Sequence, residues 1–426
     1  MKNLLKSIVA FKLGLCARIV VHRYHPHIVM VTGSVGKTST KDAVAAVLAA
    51  RFFVRKSKGN LNTEFGVPLT IFGVDVPDSL FNPFAWLKVA KNALALILLP
   101  NHYPNMLVLE TGADKPGDLA RILRLATPDM VVVTRLPEIP VHVEAYVSPE
   151  AVREEEFSPA YALAGGAPLI IPSDDPYVFD CTKRTPARCI SYGTTSDADV
   201  SIKSVDFYEI EGKVTGMQAS VVVDGKKGSL VIEGSVGKIQ LLPVAAALAA
   251  ALAYEIPLKE ALEALEAYEP PPGRGRLLDG KNESIIIDDS YNSSPAAVEE
   301  ALSTLKAFPH AKRRVAVLGD MLELGRYSVI EHERIATQVN ESADVIVAVG
   351  IRARAFISAA KNAEVLLFDN SRAAAEALPS LIHEGDVILV KGSQSIRMER
   401  VVESLLANPV DSVKLVRQEK KWRQKA

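Results

Sequence analysis

The sequence predicts an α/β protein: a central phosphate-loop ATPase domain on a mostly parallel sheet, then a smaller Rossmann-like C-terminal domain. Three observations predict it. HIVMVTGSVGKTSTKDAVAAVLAA (27–50) passes from a β-rich run through a turn bearing Gly33 and Gly36 into Lys37, Thr38, Ser39 and Thr40, then into apolar residues at helical spacing. Apolar strand candidates alternate with helical patterns from Ile28 to about Pro272. After Glu269-Pro270-Pro271-Pro272-Gly273, which punctuates the chain, the alternation restarts.

Bulk properties narrow the class. A chain of 426 residues, 48% hydrophobic and 23% charged, holds two or three globular domains and is not a disordered polymer. Its net charge of −1 gives no general pull toward nucleic acid, and none is expected as a partner. Cys16, Cys181 and Cys189 make neither a metal spacing nor a disulfide framework, which fits a reducing cytosol. No small-residue cleavage site follows the apolar N-terminus, so no cleavable signal is expected.

In chain order, residues 1–27 form an apolar helix interspersed with Lys2, Lys6, Lys12 and Arg18, too broken by charge to span a bilayer. Two readings stay open, a helix lying on a membrane surface or one packed on the protein. Leu80 to Leu99 is a second apolar stretch with only Lys88 and Lys91 as charges; it opens at Asn82-Pro83 and closes at Pro100. The two together suggest one apolar face. Residues 28–272 form the central domain, with strands at Met106–Glu110, Met130–Thr134 and Leu169–Pro172. Val200–Glu233, broken at Glu211-Gly212 and Asp224-Gly225, reads as hairpins on its edge, and Leu241–Tyr254 as an alanine-rich helix. Residues 273–426 form the second domain, with strands at Ser284–Asp288, Arg314–Leu318, Val345–Val349, Val365–Phe368 and Val387–Val390. Helices begin near Pro295, Glu331, Arg352, Ser371 and Ile396, and Lys414–Ala426 reads as a solvated tail.

The chemistry starts at the loop. Gly33, Ser34, Val35, Gly36, Lys37, Thr38 and Ser39 form a phosphate cradle: glycines let the backbone approach, helix-start amides point at negative charge, and Lys37 reaches the terminal phosphates. Thr38 is placed for Mg²⁺. Val31 stands where the strict motif has glycine, so the match is to the shorter Thr-Gly-x-x-Gly-Lys-Thr form. Glu110 ends a strand and could complete the Mg²⁺ site; His142 and Glu144 follow another strand, where contact with metal or phosphate competes evenly with a structural role.

Beyond these, TGSVGKTST (32–40), GNLNTEFGVPLT (59–70), LETGADKPGDL (109–119), PVHVEAYVSPE (140–150), PPGRGRLL (271–278), IDDSYNSSPAAV (287–298), VLGDMLELG (317–325) and VKGSQSIRMERVV (390–402) recur in order. On these the sequence resembles the Mur ligases, amide ligases of peptidoglycan precursor synthesis. GNLNTEFG, DDSYNSSP and LGDMLELG point to the branch that adds D-alanyl-D-alanine. The resemblance implies ATP and Mg²⁺ as cofactors, and as substrates a small peptide-bearing molecule plus an amino acid or dipeptide. ATP would phosphorylate the carboxylate, and the amine would attack the acyl phosphate.

It also implies roles. Lys37 would stabilise the transferring phosphoryl group. Thr38, Glu110 and His142 would hold Mg²⁺. Asn60, Asn62 and Glu64 would line the acceptor side. Gln240 would lie near adenine, where the family often has His-Asn in place of Ile239-Gln240. Arg274, Asp288, Asp289, Tyr291 and Asn292 would face the nucleotide, and Lys391, Ser393 and Arg397 the reaction centre on closure. The bland readings are a capping turn for Asp288 and Asp289, turn asparagines at 60 and 62, a surface lysine at 391 and helix-face charges at Arg397 and Arg400.

Two departures stand out. Only 31 residues precede Thr32, where the family's dipeptide-adding branch has a UDP-binding domain; the apolar N-terminus, bringing the chain to a membrane's inner face, or a partner chain would supply the missing contacts. Many Mur ligases also have a carbamylated lysine fourteen residues after the motif histidine, helping a second Mg²⁺. Here Glu156 stands there, within Arg153-Glu154-Glu155-Glu156, and is expected to replace it as a metal ligand, the alternative being a solvated acidic helix face. An active ligase is the leading reading. A degenerate nucleotide-binding scaffold subunit, or a ligase for folate polyglutamate or a non-murein polymer, are the alternatives.

Overall fold

The computed structural model describes residues 2–419 and 422, apart from 60, 78–81, 359 and 362. Its strands are β1 (His27–Thr32), β2 (Val54–Lys56), β3 (Met106–Glu110), β4 (Met130–Val133), β5 (Pro168–Pro172), β6 (Arg188–Gly193), β7 (Val200–Ile210), β8 (Lys213–Val223), β9 (Lys226–Glu233), β10 (Arg276–Asp279), β11 (Ile285–Asp289), β12 (Arg313–Gly319), β13 (Val345–Val349), β14 (Glu364–Phe368) and β15 (Asp386–Lys391). The helices are α1 (Lys2–Tyr24), α2 (Lys37–Leu48), α3 (Gly66–Phe72), α4 (Pro83–Leu98), α5 (Asp118–Leu123), α6 (Pro149–Tyr161), α7 (Pro176–Thr182), α8 (Leu241–Ala253), α9 (Leu258–Leu265), α10 (Pro295–Ala307), α11 (Ser328–Ser342), α12 (Ser371–Ala377) and α13 (Glu399–Leu405).

Two sheets form, ordered β2-β3-β1-β4-β5-β6-β7-β8-β9 and β10-β11-β15-β12-β13-β14. Strands β1–β6 pair in parallel; β1, β3, β4 and β5 are largely buried and so read as apolar runs rather than alternations, whereas β2 and β6 are partly exposed. Strand β1 lies between β3 and β4, in the register Val31 with Glu110 and Thr32 with Val133. That register brings the phosphate loop, Glu110 and Thr134 to one edge, at the point where strand order diverges and such sheets bind ligands. In the second sheet β15 sits between β11 and β12, aligning Lys391 with Asp289 on one side and Leu318 on the other. The alanines of α8 leave no bulk between it and α2, and the two helices pack inside the largest apolar cluster.

The α/β alternation is present as expected, and so is the edge meander β7–β9. Its turns, at Glu211-Gly212 and Asp224-Gly225, have positive φ at both residues, the backbone a tight hairpin needs. Helix α11 begins at Ser328, three residues before the expected Glu331, and the segment near Arg352 is a 3-10 turn (Ala353–Ile357). The expected start near Ile396 is likewise a 3-10 turn, ahead of α13. The solvated tail is corrected at residues 415–417, while 420, 421 and 423–426 lie outside the described residues. Leu415 and Val416 are buried, and the Arg417 guanidinium pairs with buried Glu399 (2.8 Å) and donates to the Ser290 carbonyl (3.3 Å) and the Tyr291 carbonyl. Two apolar side chains and a buried carboxylate partner outweigh the basic composition of this segment.

Helix α1 packs through Leu13, Ala17 and Val20 on α3 and α4, while Ile8, Phe11, Leu15 and Ile19 face outward. Arg23 and Tyr24 tie its end to the carbonyls of Leu96, Ile97 and Leu99 at the end of α4. Among the described residues no helix is long and apolar enough to cross a membrane.

Candidate active site

The loop after β1 folds as the glycines require. Gly33 and Gly36 have φ of 118° and 89°, and a Cβ on Gly33 would lie 2.3 Å from Thr134 Oγ1, so no other residue fits there. Lys37 opens α2 and folds back to donate to the Gly33 carbonyl. From this loop a cleft of about 530 Å³ extends toward the second sheet. It gathers Ser34, Gly36, Lys37, Thr38, Asn62, Glu110 and His142 from one side, and Arg274, Tyr291, Asn292, Ser393 and Arg397 from the other. Elements hundreds of residues apart in sequence therefore share one cavity.

Within it, Glu110 is buried and its Oε1 accepts from the Asn62 side chain (3.4 Å), while Oε2 has no hydrogen-bond partner. That oxygen lies 3.8 Å from the Lys41 ammonium, and Glu110 shares the cleft lining with Thr38; a carboxylate and a hydroxyl together are donor chemistry for a hard cation. No group of three or more His, Cys, Asp or Glu converges as a metal centre among the described residues. His142, held at a φ of 65°, places Nδ1 3.1 Å from Glu323 and Nε2 3.6 Å from Asp114. Burial opposes its charged form, but the Glu323 carboxylate and then Asp114 outweigh it and hold its pKa above the ordinary value.

Other expected residues fall elsewhere. Glu156 does not line the cleft. It is buried on α6, accepts from the Ser34 hydroxyl, and lies 3.7 Å from Lys37 Nζ, so it does not face solvent. Burial raises its pKa against the pull of Lys37 and Ser34. The three glutamates of that run have three fates: Glu154 pairs with Arg184, Glu155 accepts from the amides of Gly117 and Leu119 at the start of α5, and Glu156 braces the loop. Val35 turns to a second pocket of about 280 Å³ on the far side of Gly36, whose wall includes Tyr192, Lys238 and Ile239. Gln240 is not on that wall; it is buried near Gly275, and half-buried Ile239 lines the wall instead. Ser39 is buried in α2, Glu64 pairs with Arg121 (3.0 Å), and Asn60 lies outside the described residues.

Lys391 is neither a surface lysine nor a cleft residue. It is 1% exposed, bound to Asp289 Oδ2 (2.6 Å) and the Asn292 carbonyl (3.0 Å), and burial lowers its pKa against the pull of Asp289. This ammonium fixes the loop that presents Asn292. Asp288 is fully buried behind the cleft; its Oδ1 accepts from the Ser290 amide (3.1 Å), its Oδ2 has no partner, and burial pushes its pKa up to about 6. Because the folded protein holds this proton where the unfolded chain has already lost it, the stability it lends is lost as pH rises through 4 to 6. Asp288→Asn is expected to raise the melting temperature above pH 6 and change it little near pH 4; an effect independent of pH would contradict this placement.

Sequence reading missed Lys41, Asp114, Glu323 and Trp422. Lys41 is fully buried, with Nζ 2.8 Å from the Gly59 carbonyl, 3.5 Å from Asp42 and 3.8 Å from Glu110 Oε2. Its place one helical turn after Lys37 was the available signal. Trp422 lines the cleft with its carbonyl accepting from Arg397 (2.9 Å), a placement no local pattern announces.

A phosphate loop at a strand–helix junction, facing a second Rossmann-like sheet across a polar cleft, defines a two-sheet P-loop protein. Comparison with known proteins narrows the class. Residues 89–251 match the Mur ligase middle domain and residues 273–394 the Mur ligase, glutamate ligase domain. The chain belongs to the Mur ligase family. It is 27% identical over 403 residues to the UDP-N-acetylmuramoyl-tripeptide--D-alanyl-D-alanine ligase of Bacillus subtilis (strain 168), covering 92% of this chain and 79% of that one. Its counterpart in Escherichia coli (strain K12) is 28% identical, covering 89% and 77%. The crystal structure of MurF ligase from Thermotoga maritima in complex with ADP superposes with a TM-score of 0.74 at 27% identity, covering 93% of this chain and 83% of that one. Folylpolyglutamate synthase of Mycobacterium tuberculosis, complexed with ADP, shares the fold (TM-score 0.64, 16% identity, 92% and 94% covered).

Proposed function

We propose that this chain is an ATP-dependent ligase of MurF type, joining the carboxylate of a peptide-bearing precursor to the amine of an amino acid or dipeptide in cell-wall precursor synthesis. D-alanyl-D-alanine is the dipeptide suggested by the names of the relatives. The observation that carries the reading is the single cleft in which Lys37, Thr38 and Glu110 meet Arg274, Asn292, Ser393 and Arg397. The γ-phosphoryl group would pass from ATP to the carboxylate oxygen, and the amine would then displace phosphate from the acyl carbon. Alignment and charge neutralisation are what such a transfer needs.

Lys37 would neutralise charge on the moving phosphoryl group. Thr38 and Glu110, with His142, would hold Mg²⁺, which when bound offsets phosphate charge. We assign Glu156 to the loop through Ser34 and Lys37 instead of to a second cation, because its carboxylate is already engaged there. The pocket bearing Lys238 and Ile239 would receive the nucleobase. Arg274, Tyr291 and Asn292 would hold the nucleotide from the second sheet, with Asp289 and Lys391 positioning them; Asn62, Ser393 and Arg397 would face the substrate. Residues 28–272 and 273–426 would act as two domains closing on the cleft and excluding water, with residues 1–27 as a separate helix. We place the chain in the cytoplasm, at the inner face of the membrane, with the apolar α1–α4 face or a partner chain supplying contacts to the substrate's carrier.

The test is phosphate release by the purified chain with ATP, Mg²⁺, UDP-muramoyl tripeptide and D-Ala-D-Ala, other amines serving as controls. Release that requires both the peptide and the amine is expected. ATP binding without turnover on any pair would overturn the ligase and leave a nucleotide-binding scaffold.

A further inference from the structure

Helix α1 and its surroundings carry features that the cleft chemistry does not use. Phe11 is 73% exposed, with Leu15 and Ile19 above it at helical spacing; on α4, Phe84, Leu87 and Leu98 are 81%, 66% and 69% exposed. Large apolar side chains this exposed, repeated on two helices packed together, mark an interaction face. Neither helix contains an aspartate or glutamate; Lys12, Arg18, Lys88 and Lys91 are their charges in the described side chains, besides Arg23, which is turned to the end of α4. Apolar surface carrying cations without anions fits one partner, a negatively charged lipid surface.

The same stripe runs into an open cleft of about 700 Å³ between the C-terminal half of α1 and the segment after α5. Leu15 and Ile19 form its apolar rim, and Arg18, His22, His25 and Arg124 its polar wall. The carboxylate present, Asp129, is engaged by the Ile28 amide (2.8 Å). We propose that the α1–α4 face seats on an anionic bilayer, and that this cleft takes the phosphate of a lipid whose chains continue along the apolar stripe. The proposal rests on the membrane-face placement above and names the site that performs it.

The test is flotation of the full chain with vesicles of phosphatidylcholine alone or rich in phosphatidylglycerol. Binding to the anionic vesicles at low salt, weakened at high salt, is expected. Arg18→Gln with Arg124→Gln, both exposed positions, should cost about fivefold in partitioning for each charge removed, and Phe11→Ser with Phe84→Ser should abolish binding. Both double variants should keep the melting temperature and the vesicle-free activity, whatever that activity is.

Equal binding of wild type and the arginine variant to both vesicle types would leave an apolar membrane face and overturn the phosphate site. Binding of inorganic phosphate that Arg18→Gln with Arg124→Gln abolishes, without vesicle binding, would make the cleft a free-phosphate subsite and overturn the lipid. No vesicle binding, with a dimer in sedimentation that Phe11→Ser disrupts, would reassign the face to a second copy of this chain.

Discussion

Lys37→Ala is expected to lose turnover by on the order of 10²–10³ or more while remaining folded. The ammonium opens α2 at the mouth of the phosphate cradle, 3.7 Å from Glu156 and lining the cleft. Removing a pre-placed charge from a phosphoryl-transfer site costs several kcal/mol of barrier. The fold should hold because Glu156, already pushed toward its protonated form by burial, takes up a proton when its cationic neighbour is gone. Steady-state phosphate release and a thermal melt of the same preparation check this. Near-wild-type ligation by a folded Lys37→Ala protein would remove the loop from the chemistry.

Lys41→Met is expected to strike stability as well as rate. Here the charge is fully buried and faces Glu110, itself 2% exposed. Deleting one member of a buried pair leaves the other charge uncompensated, typically at about 3–5 kcal/mol. The Gly59 carbonyl also loses its donor, loosening the segment that leads to Asn62. Adding Glu110→Gln to Lys41→Met should restore much of the melting temperature without restoring activity, because the Mg²⁺ site proposed at Thr38 and Glu110 would then lack its carboxylate. A double variant no more stable than Lys41→Met would show that the ammonium is held by Gly59 and Asp42 alone.

What the sequence made legible follows from where the information lies. The loop at 33–39 is local: glycine spacing, a lysine and a helical pattern occupy one continuous stretch, and the structure forms a positive-φ glycine turn leading into a helix there. The strands buried on both faces were legible as apolar runs, although β2 and β6 were not, because Arg55, Lys56, Arg188 and Ser191 interrupt them. Side-chain direction was the harder quantity. Glu156 and Glu154 are two residues apart on α6 and point to the phosphate loop and to Arg184 respectively, which follows from packing and not from composition. Lys391 read as a group facing the reaction centre, with a surface lysine as the alternative; only the register of β15 between β11 and β12 buries it against Asp289. The docked tail was illegible for the same reason, since Glu399, which captures Arg417, is a buried anion on a helix that reads as polar.

The central claim is that the cleft activates a carboxylate as an acyl phosphate. It is tested most directly by supplying the proposed UDP-muramoyl tripeptide with ¹⁸O in its terminal carboxylate, together with ATP and D-Ala-D-Ala, and weighing the phosphate released. One labelled oxygen in the phosphate for each amide formed is the predicted result, because the carboxylate oxygen that attacks the γ-phosphorus leaves with it. Amide formed with unlabelled phosphate, or phosphate released at the same rate without the peptide, would contradict it.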